Sequence, residues 1–254
     1  MANTFKTLLK DQGYLLGPFM KLDSPTVVEL AALGGFDFVI IDTEHGPLDV
    51  LTAENMVRAA HMRDMLAIIR VGENDPLMIS RALDIGADGV QIPQISNAAD
   101  AIRAVHAAKF FPEGERGVCR YVRAAEYTNI KKADYFRQAN QNTVVIVHIE
   151  GQEGLKNLDG ILHVPGVDVL FIGPYDLSQS LGIPGEVDNP RVVAEIEKIL
   201  VQAKDTGKTI GIFVEDVETA KKYISKGIQY ISYSVDVGLI LSQFKGVTSQ
   251  VKDK

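Results

Sequence analysis

Eight short apolar segments alternate with helical patterns along this chain, and no linker interrupts the alternation. The apolar segments cover residues 15–20, 39–41, 66–71, 88–93, 143–149, 167–172, 209–214 and 229–232. A repeated strand–helix unit predicts an α/β fold built on a parallel sheet. The length of 254 residues suits a single (β/α)₈ barrel, which takes about 250 residues. We therefore predict one TIM-barrel domain over residues 1–254.

The turns that lead into four of these strands share one pattern. They read Gly35-Phe36-Asp37, Gly86-Ala87-Asp88, Gly166-Val167-Asp168 and Gly227-Ile228-Gln229. In each turn, a glycine suited to the C-terminal cap of a helix is followed by a short connection into a strand. The recurrence of one turn favours a barrel of repeated units. A doubly wound sheet is the alternative, but the sequence has no G-x-G-x-x-G motif to support it.

Composition excludes several classes of function. The net charge is −7 with no basic block, which argues against a nucleic-acid partner. No apolar run reaches the roughly 20 residues of a membrane span, and the first ten residues lack the apolar core of a signal peptide. The single cysteine, Cys119, excludes an intrachain disulfide framework. We expect a cytoplasmic protein that acts on a small molecule.

The second strand ends in a cluster of ionisable side chains. Asp42, Glu44 and His45 follow its buried apolar run within four positions and precede a Gly-Pro turn. The C-terminal ends of barrel strands meet at one mouth, where the chemistry of such folds takes place. Asp42 as a helix cap and His45 as an ordinary loop residue are the alternative reading, which explains one such residue better than three together.

Glu150 and Asp176 end the adjacent fifth and sixth strands. Neighbouring strands lie about 4.8 Å apart, so these carboxylates can share one cation. Oxygen ligands completed by water suit Mg²⁺ or Mn²⁺ better than a closed zinc site. Spacing alone leaves open the alternative that Glu150 caps the following helix and Asp176 caps a turn.

Arg70 also emerges from a buried strand and therefore requires an anion. The candidates are Asp42, Glu44 or a substrate carboxylate held by both arms of the guanidinium group. His45 stands three residues after Asp42, where that carboxylate can orient it for proton transfer near neutral pH. His148 precedes Glu150 by two residues and shares its side of the strand.

Several segments together resemble the HpcH/HpaI aldolase family, whose members are class II, metal-dependent enzymes that cleave or form 4-hydroxy-2-oxo acids. The matching segments are FDFVIIDTEHGP at residues 36–47, RV at 70–71, QIP at 91–93, GERG at 114–117, Glu150, and GPYDLS at 173–178. They occur in the family's order over about residues 5–240. The DTEHGP and GPxDLS segments are specific in combination.

The resemblance implies a role for each residue at the mouth. It implies that Glu150 and Asp176 ligate Mg²⁺, Mn²⁺ or Co²⁺, that Arg70 polarises the pyruvyl oxygens, and that His45 with Asp42 forms an acid–base dyad. It places the substrate beside Arg70, Gln91, Gly173, Pro174, Tyr175 and Asp176. The implied reaction is reversible cleavage of a 4-hydroxy-2-oxo acid to pyruvate and an aldehyde.

Three departures from the family pattern leave the identity of the hydroxy-oxo acid open. His148 stands where many members carry Gln or Met, Gly151 where many carry Thr, and Tyr175 where a small residue is more common. A malyl-CoA or citramalyl-CoA lyase-like enzyme and a non-catalytic keto-acid-binding barrel are the alternative functions. A Schiff-base aldolase requires a lysine inside the barrel, and only Lys21 ends a strand.

Two further segments carry expectations of their own. Residues 110–142 form a longer insertion after strand 4 that contains four arginines and three tyrosines, and long connections of this kind are often functional. We interpret the insertion as a flap. From residue 239 onward an apolar stripe follows a helical pattern. Family members commonly form hexamers by exchanging this helix, and the resemblance implies the same homo-oligomer here.

Overall fold

Eight parallel strands pair in sequence order and close into a barrel, because β1 pairs with β8 as well as with β2. The computed structural model describes residues 4–252. The strands are β1 (Leu15–Met20), β2 (Phe38–Asp42), β3 (Leu66–Arg70), β4 (Gly89–Ile92), β5 (Val144–Ile149), β6 (Val169–Ile172), β7 (Thr209–Val214) and β8 (Tyr230–Val235). The predicted TIM barrel is confirmed, and closure excludes the doubly wound sheet.

Helices connect the strands and pack around the barrel. They are α1 (Phe5–Gln12), α2 (Pro25–Leu33), α3 (Val50–His61), α4 (Pro76–Asp84), α5 (Ala98–Ala108), α6 (Lys132–Asn142), α7 (Gln152–Lys156), α8 (Leu158–Leu162), α9 (Pro174–Ser180), α10 (Pro190–Ala203), α11 (Val217–Ser225) and α12 (Asp236–Val251). Several begin at a residue whose side chain accepts a backbone N–H of the first turn, as Ser24, Asp49 and Asp75 do. Between residues 4 and 252, no helix is long and apolar enough to cross a membrane.

The barrel interior is filled by side chains from alternate strand positions. Phe38 and Tyr230 stack with their ring centroids 4.2 Å apart. A Cβ atom on Gly17 would lie 2.1 Å from the Phe38 carbonyl oxygen, so this strand can approach its neighbour only with glycine at that position. Phe5 from α1 closes the N-terminal end and lies 6.1 Å from the Tyr230 ring. These side chains fill the barrel axis at its N-terminal end, so a ligand that enters the barrel approaches from the C-terminal end.

The repeated turn links neighbouring strands through its acidic residue. The carboxylates of Asp37, Asp88 and Asp168 each accept the backbone N–H of the second residue of the preceding strand, at 2.9, 2.8 and 3.0 Å. The glycine that opens each of the four turns has a φ between 84° and 92°, which favours glycine. In the fourth turn, the Gln229 side chain donates to the Gly13 carbonyl oxygen at 3.3 Å instead. These turns fix the positions at which β2, β4, β6 and β8 begin.

The insertion between α5 and β5 lies at the N-terminal end of the barrel, so its interpretation as a flap over the mouth is wrong. The Lys109 ammonium donates to the carbonyl oxygens of Asn140 and Thr143 at 2.7 and 2.6 Å, just before β5 begins. Arg123 donates to the Ile85 carbonyl oxygen, directly after α4. A segment that follows a helix must return to the start of a strand, and in a barrel all strands start at the end opposite the mouth.

Candidate active site

Arg70 and two carboxylates form a buried cluster where β2 and β3 end. The Arg70 Nε and Nη2 atoms donate to the two carboxylate oxygens of Asp42 at 2.8 and 2.6 Å. The Nη1 atom lies 2.9 Å from Glu44 Oε2. Asp42 and Arg70 are partners in the strand register, which brings both side chains to one level. Arg70 therefore uses both of the protein carboxylates that the sequence offered as partners.

These contacts set the ionisation of the two carboxyl groups. Burial opposes ionisation of Asp42, but Arg70 and Lys21 hold its pKa well below the ordinary value of 3.8. Burial and the charge of Glu150 raise the pKa of Glu44, although Arg70 acts in the opposite direction. Asp42 is therefore a fixed anion at neutral pH, whereas Glu44 takes up a proton more readily than a free glutamate.

Lys21 joins the cluster from the end of β1. Its ammonium group forms an ion pair with Asp42 and donates to the His45 carbonyl oxygen at 3.1 Å. The backbone N–H of Lys21 donates to Asp236, a buried carboxylate at the start of α12. In the sequence, Lys21 was a candidate only for a Schiff base. The folded chain makes it a partner of Asp42 across the β1–β2 pair.

The imidazole of His45 does not contact Asp42, contrary to the expected dyad. Both Asp42 oxygens are engaged by Arg70 and Lys21, and Asp42 accepts the backbone N–H of His45 at 3.3 Å. The His45 ring lies beside Glu44, with Nε2 3.8 Å from Oε2, and 60% of its side chain is exposed. A residue three positions past Asp42 has already left the strand, so its side chain faces the solvent above the mouth.

Glu150 lies at the end of a hydrogen-bond chain that crosses the barrel interior. Its Oε2 atom is 2.9 Å from His148 Nδ1, and His148 Nε2 is 2.6 Å from the amide nitrogen of Gln91. The Tyr230 hydroxyl donates to the Gln91 side-chain oxygen at 3.3 Å. One imidazole tautomer satisfies this chain, with Nδ1–H donating to Glu150 and Nε2 accepting from Gln91. The chain fixes the direction of the Glu150 carboxylate.

Gln91 therefore supports the site from below, contrary to the expectation that it contacts the substrate. It is fully buried, and both ends of its amide are engaged inside the barrel, by His148 and Tyr230. Inward-pointing residues of a barrel lie in layers, and Gln91 belongs to the layer beneath Glu150. The sequence predicts that Gln91 ends a strand but not the layer to which it belongs.

Glu150 and Asp176 direct carboxylate oxygens toward one point beside Gly173. A Cβ atom on Gly173 would lie 3.1 Å from Glu150 Oε2 and 3.7 Å from Asp176 Oδ2, so glycine keeps the space between them open. Glu150 makes no cap hydrogen bond to α7, and Asp176 lies within the first turn of α9 rather than at its N-cap, which argues against the alternative reading as caps. Within the described residues, no hydrogen bond or ion pair engages the Asp176 carboxylate. An open point between two carboxylates fits a divalent cation.

The electrostatics of Glu150 agree with that fit. Burial opposes its ionisation, but His148, the Gln94 N–H at 2.7 Å and Arg70 outweigh burial and lower its pKa. Over residues 4–252, no cluster of three or more His, Cys, Asp or Glu side chains is arranged to hold a metal. The chain therefore offers an open site of two carboxylates, which water and substrate oxygens would complete.

These groups line a cavity of about 160 Å³ at the C-terminal end of the barrel. Its polar wall consists of Lys21, Arg70, His148, Glu150, Gly173, Pro174 and Asp176. Its apolar wall consists of Phe19, Phe171, Tyr175, Phe213 and Val235. The predicted residues Asp42, His45 and Gln91 lie outside this lining. Phe19, Phe171, Phe213 and Val235 of the apolar wall were not predicted from the sequence, although each lies within a barrel strand.

Tyr175 lies at the rim of the cavity and is held there by the carboxylate of Glu215. Its hydroxyl donates to Glu215 Oε2 at 2.5 Å. Its ring centroid lies 6.1 Å from that of Phe213. The hydrogen bond to Glu215, together with burial, raises the pKa of Tyr175 to about 12. Forty residues separate the two partners along the chain, and the neighbouring strands β6 and β7 bring them together.

Known families and proteins match nearly the whole chain. A family model described as HpcH/HpaI aldolase/citrate lyase matches residues 15–242. A 4-hydroxy-2-oxo-heptane-1,7-dioate aldolase from Escherichia coli is 38% identical over 241 residues, which cover 94% of this chain and 91% of that protein. A 5-keto-4-deoxy-D-glucarate aldolase from Citrobacter koseri is 35% identical over 251 residues, which cover 99% of this chain and 95% of that protein.

A solved structure has the same architecture. The crystal structure of an HpcH/HpaI aldolase/citrate lyase family protein from Burkholderia cenocepacia superposes with a TM-score of 0.89 at 34% identity. The match covers 94% of this chain and 95% of that chain.

Proposed function

Since the chain belongs to the HpcH/HpaI aldolase/citrate lyase family, we propose that its cavity binds the two reactants of a class II aldol reaction, pyruvate and an aldehyde. The protein is a carbon–carbon lyase, an aldolase that cleaves a 4-hydroxy-2-oxo acid to pyruvate and an aldehyde. One observation supports the residue assignments above all others. The carboxylates of Glu150 and Asp176 and the guanidinium group of Arg70 converge on one cavity.

We assign the divalent cation to Glu150 and Asp176. A Mg²⁺, Mn²⁺ or Co²⁺ ion held there would supply Lewis-acid polarisation of the 2-oxo group. Glu150 contributes an ionised oxygen whose direction is fixed by His148. Asp176 contributes an oxygen free of protein partners within the described residues. Gly173 keeps the approach to both oxygens clear.

Arg70 is assigned to the oxygen that becomes negative in the enolate. Two of its five N–H groups donate to Asp42, and Nη1 forms an ion pair with Glu44, so further N–H groups remain for the substrate. The two carboxylates lock the guanidinium plane before the substrate arrives. A fixed donor aimed at a developing oxyanion is the usual source of the largest rate effect in such sites.

We assign proton transfer at the 4-hydroxyl oxygen to His45, acting through a water molecule. Its ring lies at the rim beside Glu44 and outside the cavity lining, which favours a water-mediated route. In cleavage the 4-hydroxyl proton leaves and the C3–C4 bond breaks. The bonding electron pair passes into the enolate of pyruvate, and a proton then adds at C3. Asp42 acts in this scheme as the anchor of Arg70 and Lys21.

A substrate panel tests the assignment. Purified enzyme is incubated with several 4-hydroxy-2-oxo acids, and pyruvate release is measured before EDTA treatment, after it, and after addition of Mg²⁺, Mn²⁺ or Co²⁺. We expect EDTA to abolish release and a divalent ion to restore it. Glu150→Gln should bind the ion more weakly by calorimetry, while Glu153→Gln, an exposed neighbour on α7, serves as the matched control. Full release by metal-free protein would contradict the class II assignment.

We also propose that the chain works as a homo-oligomer, a hexamer as the family resemblance implied. Of the α12 residues, only Asp236 is buried. The apolar residues that α12 leaves exposed include Leu241, Phe244, Val247 and Val251. Such a stripe is costly in water and is typical of a surface that meets another copy. Light scattering tests this proposal, and a monomeric mass at micromolar concentration would refute it.

A cytoplasmic location is part of the same proposal. Cys119 is exposed and unpaired, a state that a reducing compartment maintains. Fractionation of the native cells, with the protein followed by antibody, tests the location.

A further inference from the structure

We propose that Tyr175 and Glu215 select the aldehyde component, favouring a small uncharged hydroxyaldehyde over an aldehyde that carries a carboxylate. This inference rests on the proposed aldolase function, which supplies the 2-oxo acid half of the reaction. It adds a substrate class for the other half, and it names a residue, Glu215, that lies outside the lining of the main cavity.

In the proposed complex, each wall of the cavity contacts one half of the substrate. Arg70, Glu150 and Asp176 occupy the polar wall, where the carboxylate and oxo group of the pyruvyl unit find a cation and fixed donors. In this proposal, the C4 atom and everything beyond it lie along the opposite wall. That wall is formed by β1, β6, β7 and β8 and ends at Tyr175 on the rim.

The Tyr175–Glu215 pair presents oxygen acceptors at the end of this wall. The Tyr175 hydroxyl uses its proton in the bond to Glu215, so its oxygen lone pairs remain available. The second Glu215 oxygen is available as well, because Glu215 is exposed and the bond uses only Oε2. Both oxygens accept hydrogen bonds from the hydroxyl group of a substrate. A purely apolar aldehyde would leave this capacity unused.

The charge at the same rim disfavours a carboxylated aldehyde. A smaller pocket of about 80 Å³ adjoins Tyr175, and Asp188, Glu215 and Asp216 line it without any lysine or arginine. Besides Arg70, Lys21 also lines the main cavity, but its ammonium group is already paired with Asp42. A substrate carboxylate arriving at this rim therefore meets like charges and no free cation of the described lining.

Size limits the aldehyde further. The main cavity measures about 160 Å³, and the pyruvyl unit takes a large part of it. The aromatic rings of Phe19 and Phe213 lie with centroids 6.0 Å apart and narrow the apolar wall. A short hydroxyaldehyde such as glycolaldehyde or glyceraldehyde is therefore the proposed aldehyde component.

The test measures aldehyde selectivity in the condensation direction. The value of kcat/KM is determined with pyruvate and either glycolaldehyde or succinic semialdehyde, a carboxylated aldehyde, and is expressed as a ratio. We expect the native enzyme to favour glycolaldehyde by at least tenfold. Glu215→Gln should shift the ratio about tenfold toward succinic semialdehyde, because one like charge is removed. Glu218→Gln, an exposed acid on α11, is the matched control and should leave the ratio as it is.

A second variant separates the hydroxyl contact from the charge. Tyr175→Phe keeps the ring against Phe213 and removes only the hydroxyl group. We expect it to lower kcat/KM for glycolaldehyde relative to acetaldehyde by about tenfold, since acetaldehyde has no hydroxyl group to lose a bond. An unchanged ratio in both Tyr175→Phe and Glu215→Gln would overturn the inference.

A separate measurement distinguishes failure of the inference from failure of the proposed function. Exchange of the pyruvate methyl protons with D₂O, followed by NMR, reports enolate formation without any aldehyde. Absence of exchange in the native, metal-loaded enzyme would refute the aldolase assignment itself. Exchange in the native enzyme, together with unchanged aldehyde ratios in the variants, would refute only the role of Tyr175 and Glu215.

Discussion

Both ends of the barrel bury a cation, but the partners differ. At the C-terminal end, Arg70 is 8% exposed and bonds to the carboxylates of Asp42 and Glu44. At the N-terminal end, Lys109 is 3% exposed, and its ammonium group bonds to the carbonyl oxygens of Asn140 and Thr143. Arg70 keeps N–H groups facing a cavity, whereas Lys109 faces only the chain that it holds.

Burial of a cation therefore does not by itself mark a site of chemistry. Burial lowers the pKa of Lys109 because carbonyl oxygens replace its hydration without cancelling its charge. At the mouth, by contrast, the carboxylates of Asp42 and Glu44 form ion pairs with Arg70. Lys109 joins the end of α6 to the start of β5, which is a structural task. Arg70 is held rigidly in front of open space, which is the arrangement that a developing anion requires.

Replacing one arginine at each end of the barrel, Arg70 at the mouth and Arg116 at the other end, gives the largest expected difference in kcat. Arg70→Lys keeps the charge but loses the planar fork, so we expect kcat for pyruvate-forming cleavage to fall about 10²–10³-fold. Arg116→Lys, at the other end, removes a bond to Asp84 and a contact over the Phe110 ring. It should lower the melting temperature and spare kcat. A destabilised but active Arg70→Lys would assign Arg70 a structural role instead.

Removal of Lys109 should affect stability and leave chemistry intact. Lys109→Met fills the same volume but leaves the Asn140 and Thr143 carbonyl oxygens without their donor. Unpaired buried acceptors cost about 1–3 kcal/mol each, partly offset because the buried charge is also gone. We expect a net loss of roughly 1–2 kcal/mol in urea unfolding, with kcat within twofold of the native value. A tenfold loss of kcat in a stable variant would show that the two ends are coupled.

Two glycines, one at each end of the barrel, allow the same contrast to be tested by adding one methyl group. Gly173→Ala places a Cβ atom 3.1 Å from Glu150 Oε2, which should weaken divalent-ion binding about tenfold by calorimetry. Gly117→Ala in the insertion meets no atom within 4 Å. We expect the same ion affinity as in the native protein. Equal affinities in both variants would show that the cation does not sit between Glu150 and Asp176.

The pH dependence of stability tests the Asp42 contacts at the mouth directly. The folded-state pKa of Asp42 lies below its ordinary value of 3.8, so the unfolded chain binds its proton first as the pH falls. The stabilisation by Asp42 is therefore complete above about pH 4 and is lost as the pH decreases toward the folded-state pKa. We expect Asp42→Asn to be less stable at pH 7 and to show a flatter decline between pH 4 and pH 2. An identical acid slope in both proteins, measured by urea unfolding, would contradict this.

Much of the site was predictable because strand ends are visible in the sequence. Glu150, Asp176 and Arg70 follow buried apolar runs, and a barrel brings the ends of such runs to one mouth. The prediction about residues 110–142 was wrong for a reason that the sequence also contained. That segment follows the helix α5 and precedes β5, so chain direction assigns it to the end away from the mouth.

The depth and the partner of each side chain were not predictable in this way. Gln91 and Glu150 both sit near strand ends, yet one lies in the layer below the cavity and the other lines it. His45 was expected to pair with Asp42, but Arg70 and Lys21 from neighbouring strands take both oxygens. Which side chains reach the Asp42 carboxylate depends on the register of several neighbouring strands, and register cannot be read from a short segment of sequence.

Local sequence specifies the repeated strand–helix unit, the capped helix starts and the turns of the Gly35-Phe36-Asp37 type. These features depend on residues within a few positions of one another, so their physics is contained in short segments. Folding of the barrel, by contrast, brings Tyr175 to Glu215 and Lys21 to Asp42, and it places Gly173 between two carboxylates. Such contacts join different strands, and the closure and stagger of the whole barrel set their distances.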